Sequence, residues 1–98
     1  MQRDLQITAR NFTLNAAVEA EIREKAERLE HYYERGRISG YHVTVEGAVG
    51  HHHRGGPFKV RIDLRLPGRE LSVDQQSEDD LAVAIREAFD AARHELLV

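Results

Sequence analysis

Lys59-Val60-Arg61-Ile62-Asp63-Leu64-Arg65-Leu66-Pro67-Gly68 is the stretch that decides the fold. Val60, Ile62, Leu64 and Leu66 fall on one side of an extended chain, and Lys59, Arg61, Asp63 and Arg65 on the other. A period of two is the mark of a half-buried strand, because successive side chains point to opposite faces of a sheet. Pro67-Gly68 then supplies the fixed φ and the permissive φ of a tight reversal. A second strand is expected at about Glu70–Val73. Ser77 is read as the cap that opens a helix over about Glu78 to Leu97, with Leu81, Ile85, Ala88, Phe89, Ala92 and Leu96 on one stripe. Its acidic start (Glu78, Asp79, Asp80) suits the positive end of the helix dipole. One face of this unit needs apolar cover and the other carries charge, so function is expected on a charged open surface.

Upstream, Leu5, Ile7 and Ala9 alternate with Gln6 and Thr8, which predicts a first strand. Asn15 can cap a helix reaching about Arg35, on which Val18, Ile22, Ala26, Leu29 and Tyr33 form one stripe. Gly36 is expected to end it in the left-handed conformation. Tyr41–Glu46 reads as the next strand, with Val43 and Val45 inward, and Gly47 to Pro57 as a long Gly- and His-rich connection. The order is β-α-β-β-β-α: an α+β fold, one domain over residues 1–98, with a four-stranded sheet and both helices packed on one face. The first strand–helix–strand unit should be a right-handed crossover between parallel strands. The remaining strands should form an antiparallel meander.

Composition narrows the function classes. The 98 residues are 41% hydrophobic and 32% charged, ordinary for a globular domain. No apolar run approaches the roughly 18 residues of a membrane span, and Met1-Gln2-Arg3-Asp4 is no secretory leader. Cysteine is absent, which removes disulfides and thiolate metal sites and suits a cytoplasmic protein. A net charge of −3 runs against a generic nucleic-acid binder. Distribution, however, decides whether a basic patch exists.

On a helical wheel, Lys25, Arg28, His31 and Arg35 fall on one flank of the first helix's apolar stripe, and Arg37 extends the row. Arg86 and Arg93 project from one flank of the last helix. If those flanks face each other, the groove between the helices becomes a cationic channel of phosphate width. The alternative is two solvated faces with i,i+4 pairs such as Glu21–Lys25 and Glu24–Arg28. Lys59, Arg61 and Arg65 make a second basic row on the sheet, where strand charges also serve to discourage edge pairing.

His51-His52-His53-Arg54 invites a metal reading, with His42 as a third ligand. Zinc spacing, cysteine and a loop carboxylate are all missing, so no metal or other cofactor is assigned, and Arg54 is read as a secondary phosphate contact. His42 and Asp63 could approach across adjacent strands, but no nucleophile in a strained turn accompanies them. Gly55-Gly56 lacks the Lys-Ser/Thr and helix of a phosphate loop. Neither an enzyme nor a small-molecule substrate is expected.

Ile7-Thr8-Ala9-Arg10-Asn11, the helix run Glu24-Lys25-Ala26-Glu27-Arg28-Leu29-Glu30-His31-Tyr32-Tyr33-Glu34-Arg35, Leu66-Pro67-Gly68-Arg69-Glu70-Leu71, and Glu78-Asp79-Asp80-Leu81-Ala82-Val83-Ala84-Ile85 occur in this order. Together they resemble the ribosome hibernation-promoting factors, also described as ribosome-associated inhibitors or sigma-factor modulation proteins. The resemblance covers nearly the whole chain. It implies a fold similar to double-stranded RNA-binding domains. It also implies a non-catalytic translation inhibitor that binds small-subunit rRNA at the decoding region and excludes tRNA and mRNA. Arg10, Lys25, Arg28 and His31, with Arg93 in the last helix, stand where family members tend to be basic or polar.

The chain also departs from that pattern. It lacks the lysine-rich tail common in short members and the dimerising domain of long ones. Leu81 replaces a common Tyr, and Arg86 stands where an acid is often found. The apolar end Leu96-Leu97-Val98 leaves room for a longer parent chain. The expected rRNA-binding set is Arg10, Lys25, Arg28, His31, Arg35, Arg37, Arg86 and Arg93, with Arg54, Lys59, Arg61 and Arg65 as secondary contacts. The expected partner is the small ribosomal subunit, without a membrane, and a weak homodimer is left open. The competing reading is a protein-binding regulatory module of the same fold.

Overall fold

The Asn15 side chain accepts a hydrogen bond from the Val18 N–H at 2.9 Å, and its carbonyl accepts one from Glu19 N–H at 3.0 Å. This is the geometry by which a capping residue satisfies a first-turn donor, and it starts α1 (Ala16–Tyr32) where the sequence predicts. The computed structural model describes residues 5–11, 13–32, 38–47, 57–77 and 80–97. Along the chain, β1 (Leu5–Arg10) precedes α1, and β2 (Gly40–Glu46), β3 (Phe58–Leu66), β4 (Arg69–Ser77) and α2 (Leu81–Leu97) follow. The expected end of the first helix at Gly36 lies outside the described residues.

The sheet order is β1-β2-β3-β4. β1 and β2 are parallel, with Ile7 opposite Val43, and the other pairs are antiparallel, with Val43 opposite Ile62 and Ile62 opposite Val73. A φ of 79° at Gly68 after Pro67 lets β3 fold back on β4. The register puts Leu5 and Ile7, Tyr41, Val43 and Val45, Val60, Ile62 and Leu64, and Leu71 and Val73 on one side. That side forms a single core with Ile22, Ala26 and Leu29 of α1 and Ala84, Ile85, Ala88, Phe89, Ala92 and Leu96 of α2. Both helices therefore cover one face. Among the described residues, no polar or charged side chain is buried. The core is held mainly by apolar burial, worth about 1.5–3 kcal/mol for each large side chain, and it also encloses the Tyr41 hydroxyl.

One sequence expectation changes. Ser77 does not open α2: β4 runs on to Ser77, four residues past the predicted Val73. Asp80 is the cap, its carboxylate accepting Ala82 N–H at 3.0 Å and its carbonyl accepting Ala84 N–H at 3.1 Å. Continued pairing with β3 is the reason, since Gln75, Gln76 and Ser77 lie opposite Val60, Lys59 and Phe58. The ladder extends as long as its partner does, and polar side chains on an edge strand do not stop it. Ile38, which no sequence signal marked, lies before β2 yet is fully buried, closing the core from a loop.

No helix among the described residues is long and apolar enough to cross a membrane.

Candidate nucleic-acid interface

The cations are divided between two opposite sides of the domain. Lys25, Arg28, His31, Arg86 and Arg93 project from the helical layer. Arg10, Lys59, Arg61 and Arg65 lie on the uncovered face of the sheet, because they occupy the strand positions that alternate with the core set. Arg10, named in the same rRNA-binding set as the helical cations, lies with the sheet group. Arg35, Arg37 and Arg54 lie outside the described residues, as does the His51–His53 run. Among the described residues, no three His, Cys, Asp or Glu side chains gather as a metal site.

On α1, Lys25 and Arg28 share one flank, and each meets the carboxylate one turn earlier. Lys25 Nζ stands 3.8 Å from Glu21, and Arg28 Nη2 donates to Glu24 at 3.2 Å. These are the i,i+4 pairs that the sequence allows. Their Arg28–Glu24 member is well exposed, and such pairs contribute only about 0.3–0.5 kcal/mol. A phosphate can therefore replace the carboxylate at little cost. Lys25 is more covered, its side chain only 20% accessible, so its stem is packed and its ammonium held near the helix surface. His31 is exposed one turn further on.

Burial on α2 is lopsided. Ala84 and Ala88 are fully buried and Ala91 half-buried on one flank, whereas Ala82, Arg86 and Arg93 on the other are exposed. α1 touches α2, and small side chains are what a close helix approach needs. Arg86 and Arg93 are exposed on the same helical layer that carries Lys25 and Arg28. The wheel separates flanks but carries no information about which neighbour each one meets.

The open sheet face carries cross-strand rows. Arg10, Glu46, Lys59 and Gln76 make one, Thr8, Thr44, Arg61 and Asp74 the next, and Gln6, His42, Asp63 and Ser72 the third. A fourth pairs Gly40, Arg65 and Glu70. The middle of the face is tied together. Thr8 Oγ1 and His42 Nε2 are 2.9 Å apart. Asp63 accepts from Arg61 Nε at 3.1 Å and from the Ser72 hydroxyl. Arg61 also reaches Asp74 at 4.0 Å, so it is the most neutralised cation of the set. Among the described residues Arg10, Lys59 and Arg65 have no carboxylate within ion-pair distance. Shallow grooves of about 520 and 410 Å³ lie at either end, sharing His42 and Asp63.

Sequence reasoning missed two supports of this face. Asn11, with φ of 69°, donates from Nδ2 to the Gly47 carbonyl at 3.4 Å, while Gly47 N–H donates to the Arg10 carbonyl at 2.9 Å. The ends of β1 and β2 are thus clamped where Arg10 emerges. The second is Gly40, over which the Arg65 side chain lies: a Cβ there would stand 3.4 Å from Arg65 Nη1. An isolated glycine inside a strand is the signal that could have revealed it.

Residues 5–97 match the family described as Sigma 54 modulation protein / S30EA ribosomal protein. The fold is similar to the Protein Y N-terminal domain of Thermus thermophilus, with a TM-score of 0.79 and 23% identity over 97% of this chain and 96% of that one. It is also similar to a ribosomal subunit interface protein from Coxiella burnetii, with a TM-score of 0.71 and 20% identity over 96% and 93%. At these identities the likeness is one of fold. None of the curated proteins matches the sequence.

Proposed function

The chain belongs to the Sigma 54 modulation protein / S30EA ribosomal protein family, and from that membership we propose that it is a ribosome-associated translation inhibitor of the cytoplasm. It works by occupancy, without catalysis. The domain lodges against small-subunit rRNA at the decoding region, and its volume excludes tRNA and mRNA. The observation that carries this reading is the family match over almost the whole chain, joined to an exposed cationic strip on α1. Lys25, Arg28 and His31 are its described members, and Arg35 and Arg37 continue it in sequence. Binding is electrostatic because phosphates release counterions when cations replace them. Arg10, Lys59, Arg61 and Arg65 form a second, weaker contact on the sheet, and Arg86 and Arg93 serve from α2.

The purified chain is expected to sediment with small subunits at low salt and to dissociate steeply as salt rises, the slope counting the phosphates engaged. Binding that ignores salt, or no binding to ribosomes, overturns the proposal.

One observation favours a second reading, a protein-binding module that kept the fold. Lys25 and Arg28 already carry carboxylates of their own helix, and the net charge is −3. A protein retained by the chain from nuclease-treated extract, together with absence from the subunit fraction, would favour it.

A further inference from the structure

We propose that the groove around Arg65 on the open sheet face is a guanine-selective base-stacking site for single-stranded RNA. It rests on the ribosomal reading only for RNA as the source of the base. Arg65 is held from two directions. Its backbone carbonyl accepts Ser39 N–H at 2.8 Å and the Ser39 hydroxyl at 3.2 Å. Its side chain crosses onto Gly40, with Cζ 3.7 Å and Nη1 3.4 Å from where a Cβ would stand. A guanidinium placed over bare backbone keeps one planar face against the protein and offers the other to solvent. Planar guanidinium faces stack on unpaired bases, which an ammonium on a flexible stem does not reproduce.

The surroundings choose the part of the ligand that enters. The groove of about 520 Å³ is lined by Gln6, Gly40, His42, Asp63, Arg65 and Glu70, a volume suited to a nucleobase. Asp63 is paired with Arg61 and Glu70 stands opposite Arg65, so the groove has no excess positive charge to hold a phosphate. The two carboxylates accept instead from neutral donors. Guanine presents adjacent imino and amino donors on its Watson–Crick edge, and a carboxylate with two available oxygens matches both. Glu70 has no partner among the described residues, whereas Asp63 is already engaged by Arg61 and Ser72. Glu70 is therefore assigned the base edge and Arg65 the stacking face. His42, its ring oriented by Thr8, borders the groove beside them. Adenine, with an acceptor where guanine has its imino proton, leaves the carboxylate facing a lone pair.

The test is fluorescence anisotropy of the full chain with short oligouridine RNAs carrying one central guanine, inosine or adenine. Wild type is expected to bind the guanine strand at least about tenfold more tightly than the adenine strand, with inosine between, as a bidentate base contact supplies. Arg65→Lys keeps the charge and is expected to lose most of the affinity for the guanine strand. Glu70→Gln is expected to bring the affinity for the guanine strand down to that for the adenine strand. Gly40→Val, which lifts the guanidinium by filling its seat, should act like Arg65→Lys without changing the residue itself. Circular dichroism of each variant separates lost folding from lost stacking. Equal binding of the three strands by wild type, or an Arg65→Lys variant that binds like wild type, overturns the inference. Sedimentation with small subunits unaccompanied by any base preference sinks this site and leaves the ribosomal reading standing. A guanine preference without sedimentation does the reverse.

Discussion

Gly40 and Arg65 are directly paired across β2 and β3, and the arginine's side chain rests on the space that a side chain at Gly40 would fill. The nearest atoms stand 3.4 Å from an ideal Cβ, an ordinary van der Waals contact with a flexible side chain. Gly40→Ala is therefore expected to fold normally and to gain up to about 1 kcal/mol by restricting the unfolded chain. Thermal denaturation checks the sign, and a loss above that size would show a backbone conformation closed to alanine.

Ile62 lies in the middle of β3, fully buried between Val43 and Val73 on its neighbouring strands. Ile62→Ala removes apolar contact and leaves a cavity that the sheet cannot collapse. Urea denaturation should show a loss of about 2–5 kcal/mol. For a domain of this size that is a large share of total stability.

The cap assignments separate two residues that look alike in sequence. Asn15→Ala and Asp80→Ala should each cost about 1 kcal/mol, because each removes a side-chain acceptor of a first-turn N–H. Ser77→Ala should cost no such amount, since Ser77 lies in β4. Equal losses at Ser77 and Asp80 would contradict the observed start of α2.

Asn11 holds a φ of 69°, where most side chains are strained. Asn11→Gly keeps the conformation and loses only the bond to Gly47, whereas Asn11→Ala loses both. The alanine variant should be the less stable by about 1 kcal/mol. Chemical denaturation of the pair measures the difference directly.

Charge reversal on α1 should divide binding from stability. Lys25→Glu with Arg28→Glu breaks two surface pairs worth at most about 1 kcal/mol together, so the melting transition should barely move. Co-sedimentation with small subunits should fall below detection at salt where wild type still binds. Arg86→Glu with Arg93→Glu, on the other helix, should weaken binding less. Equal loss from both pairs would place them in one continuous contact.

The alternation in Val60 to Leu66, the Asn15 cap and the two apolar stripes made the element order, the parallel first pair and most of the core legible before any coordinates. Those features are local: a period, a turn dipeptide or a capping side chain acts within a few residues of itself. The end of β4 was not legible, because Gln75 to Ser77 extend only as a response to the length of β3 opposite them. Nor was Ile38, whose burial depends on what the loop closes over.

The same division governs the binding surface. Sequence alone determined which residues are cationic, that Lys25 and Arg28 share a helix flank, and that Lys59, Arg61 and Arg65 share a strand face. Only the tertiary structure decided that Arg10, Lys59, Arg61 and Arg65 share one open face across three strands, and that the Arg65 side chain lies over Gly40. Periodicity orients a side chain relative to its own element, whereas its neighbours are set by how elements pack. That packing is fixed by strand register and by the apolar stripes that both helices lay on one face of the sheet.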